Sequence, residues 1–125
     1  MNFNELPEFD KEFKWLIKKH KSLSDDLEEF KRVITAEPLG NSKHFTVITK
    51  NDRCAMVKAR LFCRYLKESS LRIIYAFHCN KRNVVMTGGD ACPTVVLRVD
   101  FIEMYYQGSK ENENRERINE YLNSL

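Results

Sequence analysis

The hydrophobic positions of this chain change period near residue 43. Before that point they recur every three or four residues. Phe9, Phe13, Leu16, Ile17 and His20 form one stripe behind Pro7, which suits a first helical turn. Leu23, Leu27, Phe30, Val33 and Ile34 form a second, and Ser22 with Asp25 three positions later has the pattern of a capping box. Only a residue or two separates the stripes, so the two helices are expected to fold back as an antiparallel hairpin. Glu37-Pro38-Leu39-Gly40-Asn41-Ser42 then ends helical structure, with Pro38 and Gly40 as breakers.

From Lys43 onward the period is two. Phe45 to Ile48 is a short strand, Asn51-Asp52 a turn, and Cys54 to Arg64 a longer strand. A third strand covers Leu71 to His78, Asn80-Lys81-Arg82-Asn83 is the expected hairpin turn, and Val84-Val85-Met86 starts the return. Gly88-Gly89-Asp90-Ala91-Cys92-Pro93 interrupts that return with poor strand formers, and Val95 to Tyr106 is the most hydrophobic strand. Gly108-Ser109 closes the sheet. Ser109 is expected to cap a last helix, with Glu111 and Glu113 near its positive end and an apolar face of Ile118, Tyr121, Leu122 and Leu125. The order of elements predicts an α+β domain spanning residues 1–125, in which an N-terminal helical hairpin and a C-terminal helix pack on a mainly antiparallel four-stranded sheet.

Composition narrows this picture. At 125 residues there is room for one domain with one core, and 42% hydrophobic with 11% aromatic content is that of a globular chain. No apolar run approaches the roughly 20 residues of a membrane span, and Met1-Asn2-Phe3-Asn4-Glu5 has neither a basic nor an apolar leader region, so a cytoplasmic protein is expected. Cys54, Cys63, Cys79 and Cys92 are irregularly spaced, with no Cys-x-x-Cys pair. That pattern favours reduced thiols over a zinc site or disulfides.

Charge changes the picture most. Between Arg53 and Arg82 stand eight cations and the single acid Glu68, a net charge of +7, whereas the whole chain carries +3. Strand alternation puts Met56, Lys58, Arg60, Phe62 and Arg64 on one face and Val57, Ala59, Leu61 and Cys63 on the other. Three cations interleaved with Met56 and Phe62 can hold phosphates and stack a base. An ordinary solvated face, with edge lysines that deter aggregation, has the same pattern. Arg72 sits among Leu71, Ile73, Ile74 and Tyr75 on the next strand, where a polyanion site and an ion pair with Glu68, Glu103 or Asp100 are both open. His20, His44 and His78 form no catalytic pair, and structural or surface roles are expected for them.

Lys58-Ala59-Arg60, Leu71-Arg72-Ile73-Ile74-Tyr75 and Val99 to Glu113, together with the helical opening Phe9 to Lys19, resemble the RelE/ParE superfamily of bacterial type II toxins. Each motif is short, but the four follow in order along nearly the whole chain. The resemblance implies a small α+β toxin held inactive by a cognate antitoxin that covers the basic face and the groove beside the helix hairpin. The RelE-like branch enters the ribosome and cleaves mRNA without metal or other cofactor, the RNA 2′-hydroxyl attacking the adjacent phosphate. Such chemistry needs a proton acceptor, positive charge on the phosphate and a donor for the leaving oxygen. Carried over by motif, Lys58 is the base or a phosphate ligand, and Arg60 and Arg72 stabilise the phosphate; Arg64, Tyr105, Tyr106 and Lys110 fall where RNA contacts are expected.

Two departures from the family stand out. Where relatives have an arginine and a stacking tyrosine, this chain has Tyr105, Tyr106, Gln107 and Lys110, with no arginine before Arg115, so the proton donor is unassigned. Either tyrosine could stack on a base or sit in the core, and Lys110 could touch phosphate or simply begin a solvated helix. The 88–93 stretch lies where relatives turn tightly. Three classes of function therefore compete: a ribosome-dependent endoribonuclease, a ParE-like toxin that poisons gyrase by binding alone, and a degenerate binding module. Lys58, Arg60 and Arg72 speak against the second, because that branch generally lacks them. Oligomeric state is not legible from the chain.

Overall fold

A computed structural model describes residues 1–40, 43–51, 54–61, 71–85, 91–106 and 112–125, with 79–85 and 91–96 described as backbone only. The elements are β1 (Asn2–Glu5), α1 (Pro7–Lys19), α2 (Leu23–Ala36), β2 (Phe45–Lys50), β3 (Cys54–Leu61), β4 (Leu71–Val85), β5 (Ala91–Tyr106) and α3 (Arg115–Asn123). The strands form one sheet in the order β1-β5-β4-β3-β2. All neighbours are antiparallel except β1, which runs parallel to β5 with Asn2 opposite Arg98 and Glu5 opposite Phe101. The fold is therefore α+β, but its sheet is five-stranded and mixed where four mainly antiparallel strands were expected. β1 escapes pattern reading because it is four residues long with one apolar side chain, Phe3, whose ring stacks on Phe101 at 5.9 Å.

Two expected boundaries also move. The residues 80–83 expected to turn are paired strand, with Lys81 opposite Val95 and Asn83 opposite Pro93, and the connection falls in 86–90, outside the described residues. Ala91, Cys92 and Pro93 thus belong to β5. β1 reaches only Arg98, so this part of β5 has no second neighbour among the described residues, and a strand edge tolerates a proline. Ser109 lies outside the described residues. The cap of α3 is Asn114, whose side chain accepts from the Arg117 N–H, so Glu113 precedes the helix instead of sitting in its first turn.

The sheet is covered on both faces. α1 and α2 lay Phe9, Leu16, Leu23, Leu27, Phe30 and Ile34 against Val57, Ala59, Leu61, Ile73, Tyr75 and Phe101. Pro7 opens α1 as expected; Ser22 stands at the N-cap of α2, but its hydroxyl donates to Asp26 and makes no capping bond. Behind α2, Gly40 adopts φ +70°, where a Cβ would fall 2.1 Å from the Phe45 ring, so only glycine fits this turn. The Tyr75 hydroxyl, reaching through the core, donates to the Pro38 carbonyl at 2.7 Å. On the opposite face α3 seats Ile118 against Met56, Ile74, Ala76, Ile102 and Tyr105, with Tyr121 and Leu122 beside them; Leu125, beyond the helix, is exposed. No helix among the described residues is long and apolar enough to cross a membrane.

One ion pair joins the two helical layers. Beyond Phe101 the edge of β5 has no strand beside it among the described residues, and its peptide groups turn to side chains instead. Glu12 on α1 accepts from the Met104 N–H at 3.2 Å, and Arg117 on α3 donates to the Ile102 carbonyl. The two side chains also bind each other through parallel hydrogen bonds of 3.0 and 2.7 Å. Burial alone would ease the proton off Arg117, but the Glu12 carboxylate more than reverses this, and the guanidinium is held above its ordinary value. Arg117→Ala is expected to lower the unfolding free energy by about 2–3 kcal/mol, since it leaves a part-buried carboxylate and a carbonyl without their donor. Arg32→Ala, which removes an exposed pair with Glu29, is expected to cost under about 0.5 kcal/mol. Urea denaturation of both variants checks the contrast.

Candidate functional site

Alternation along β3 and its register with β4 and β5 build one row of polar side chains on the α3 face. Arg60 is directly opposite Arg72, and Arg72 is opposite Tyr105. One step along, Lys58 is opposite Ile74, which is opposite Glu103. The face is therefore not a plain solvated one. Met56 is buried, Lys58 and Arg72 are part-buried, and only Arg60 is exposed.

Lys58 is held by a carboxylate expected at the N-terminal end of the last helix. Its Nζ lies 3.1 Å from Oε2 of Glu113, whose other oxygen, Oε1, is 2.8 Å from Arg115. The Glu113 side chain is only 4% exposed. Burial works to raise its pKa, but a hydrogen bond to its backbone, Lys58 and Arg115 together outweigh that and hold it below the ordinary carboxylate value. Next to it, the Asn114 N–H donates at 2.8 Å to Glu103, itself fully buried. The 112–114 segment is thus tied to the sheet at two successive residues.

Arg72 donates to its own Leu71 carbonyl at 3.3 Å. Burial and then the Arg60 charge lower its pKa from the ordinary value, with Tyr105 opposing. Like charges opposite each other on paired strands are destabilising, and an anion placed between them removes the penalty. Tyr105 is 5% exposed, and burial, then Glu113 and Glu103, push its phenol up to about 12. Tyr106, next along the strand, projects to the other face. It is 37% exposed and lines an apolar groove of about 330 Å³ with Trp15, Leu16 and Met104. The two tyrosine side chains alternate across the sheet, Tyr105 buried beside Ile118 and Tyr106 exposed, while both residues border this groove. Arg64, Phe62, Gln107 and Lys110 lie outside the described residues, as do Cys63 and residues 88–90 of the interrupting stretch.

A second polar cluster was missed in sequence. His78, Asp100 and Tyr121 meet beneath the far end of α3, the Tyr121 hydroxyl donating to Asp100 Oδ2 at 2.6 Å. That uses the only phenolic proton, so His78 Nε2, in contact with the same oxygen, must be the donor. Arg98 lies 3.3 Å from the other Asp100 oxygen, and Asp100 stands opposite Ala76, four residues along β4 from Arg72. Cys54, close by, is buried, which raises its thiol pKa. Polar residues on a shared face of two apolar strands were the available signal, but only the register aligns them.

Comparison with protein-family models, with curated proteins and with solved structures found no match to this chain.

Burial, and then the nearby Arg98 charge, lower the His78 pKa from 6.5, with Asp100 partly opposing. In the window from about 6.5 down to that lower value, the unfolded chain binds the proton more readily than the folded one. Stability from this group is therefore complete above 6.5 and is lost as pH falls through the window. Denaturant midpoints at pH 7.5 and 5.5 should drop more for the wild-type chain than for His78→Gln; equal drops would remove His78 from the account.

Proposed function

We propose that this protein is a toxin of a type II toxin-antitoxin pair that inhibits translation by cleaving mRNA on the ribosome, without a metal. The observation that carries the proposal is the placement of Arg60 directly opposite Arg72, with Lys58 one register step away on the same face. A phosphodiester placed over this row relieves the repulsion between the arginines and gains charge-assisted hydrogen bonds. The resemblance of the strand motifs to RelE-like toxins supplies the reaction: the 2′-oxygen bonds to phosphorus as its proton passes to water, and the bond to the 5′-oxygen breaks as that oxygen takes up a proton, leaving a 2′,3′-cyclic phosphate and a 5′-hydroxyl.

Within that reading, Arg60 and Arg72 stabilise the charge that builds on the phosphoryl oxygens. Lys58, paired with a carboxylate at 3.1 Å, serves better as an ammonium ligand for phosphate than as proton acceptor. Tyr105 closes the row as a phenol that keeps its proton, which qualifies it to donate a hydrogen bond there. Tyr106 faces the α1 side and is available to a partner there, not to the RNA on the basic row. Such a partner is the antitoxin expected by resemblance.

Induced expression in bacteria is expected to arrest growth, and Lys58→Ala combined with Arg72→Ala to restore it. Loss of one such preorganised cation costs about 100-fold or more in rate. Arrest that persists in the double variant and is accompanied by DNA breaks would replace this reading with gyrase poisoning. No arrest from the wild-type chain would replace it with a binding module.

A further inference from the structure

The segment between β5 and α3 carries a carboxylate to the Lys58 end of the basic row. Glu113 comes from outside the helix and lies 55 residues along the chain from Lys58, yet its two oxygens are shared between Lys58 at 3.1 Å and Arg115 at 2.8 Å. Two oxygens bridging two cations is also how a phosphate would bind them. Arg115 is 67% exposed, so the outer half of this arrangement is open to solvent. Desolvating a carboxylate to this degree is costly, and it is the hydrogen bond to its own backbone together with Lys58 and Arg115 that outweighs the cost. A phosphodiester in the same place would gain the same two cations and lie on the face that carries Arg60 and Arg72, which stand opposite each other on paired strands.

We propose that Glu113 is an internal competitor, its carboxylate standing in the phosphate subsite formed by Lys58 and Arg115, so that a nucleic-acid phosphate binds by displacing it. The 112–114 segment then sets the threshold for occupancy of the basic face: tied down through Glu113 and through the Asn114 N–H to Glu103, it yields only to a polyanion that offers several phosphates at once. This rests on the basic row being a phosphate site, and it does not require that the row cleave anything.

The probe is a fluorescent, single-stranded hexathymidylate, which lacks the 2′-hydroxyl and so cannot be cut by the proposed chemistry. Its affinity is read by anisotropy at low and moderate salt. Glu113→Gln keeps the shape and removes the charge, and is expected to bind about five- to tenfold tighter, as expected for release of one charge pair. Lys58→Ala is expected to weaken binding and to abolish the gain when combined with Glu113→Gln. Glu113→Asp, charged but shorter, is expected to fall between wild type and Glu113→Gln. Unchanged or weaker binding by Glu113→Gln, or the same gain with and without Lys58, overturns the proposal. Unfolding of both Glu113 variants also overturns it, by making the pair a structural tie. If wild type leaves messages intact while Glu113→Gln binds tighter, the nuclease reading fails and the competitor stands; if messages are cut while affinity does not move, only the competitor fails.

Discussion

The edge of β5 is the constraint on which the arrangement rests. Every buried peptide group needs a hydrogen-bonding partner, and β1 supplies partners to β5 only as far as Phe101, with Leu6 N–H adding one bond to the Phe101 carbonyl. Glu12 and Arg117 take over from there, one serving the Met104 N–H and the other the Ile102 carbonyl, and they close on each other across the edge. Because Glu12 belongs to α1 and Arg117 to α3, the same four groups fix helices on opposite faces of the sheet. The register of β4 with β5 slips between Ile74 and Tyr75, beside Ile102, so the clasp sits where the ladder is irregular and needs outside help. Remove it, and α3 loses a tie in its first turn, next to the segment that delivers Glu113.

From that fixed geometry the electrostatics of the α3 face follow. A sheet places side chains by alternation and register, so Lys58, Arg60, Arg72 and Tyr105 converge without any loop to hold them. Among the described residues, carboxylates on or beside this face pair with some of its cations. Glu113 takes one share, Asp100 takes Arg98, and Glu12 takes Arg117. Arg60 is exposed next to a part-buried Arg72 whose pKa burial and Arg60 lower, and the proposed anionic partner rests on that juxtaposition. Strand alternation also sends the Tyr106 side chain to the α1 side, where it lines an apolar groove with Trp15 that Tyr105 also borders.

The helices and the central strands were legible because period is a local property. Phe9 and Leu16, or Val57, Ala59 and Leu61, announce one buried face from a few residues of chain, and they pack on it as expected. What was not legible depends on pairing. β1 has too few apolar residues to signal a strand and exists because Arg98 to Phe101 offers it an edge. Lys81 to Asn83 read as a turn because charge and asparagine are poor strand formers, yet they are carried by the ladder with Pro93 to Val95. That Lys58 and Arg60 share one strand face was legible from alternation, while the placement of Arg72 opposite Arg60 comes from the pairing of β3 with β4. Glu113 was placed at a helix end by proximity in sequence, and its true partner is 55 residues away. The His78, Asp100 and Tyr121 cluster was hidden for the same reason, since three elements far apart in sequence contribute one residue each.

The central claim is that the cationic row acts on an RNA phosphate. The most direct measurement is the chemistry of message ends after brief expression of the protein, with RNA ligation reactions that distinguish 5′-hydroxyl from 5′-phosphate termini. The account predicts new cuts within translated regions bearing 5′-hydroxyl ends, matched by 2′,3′-cyclic phosphates upstream. Cuts bearing 5′-phosphates, or messages that stay whole while growth stops, would contradict it.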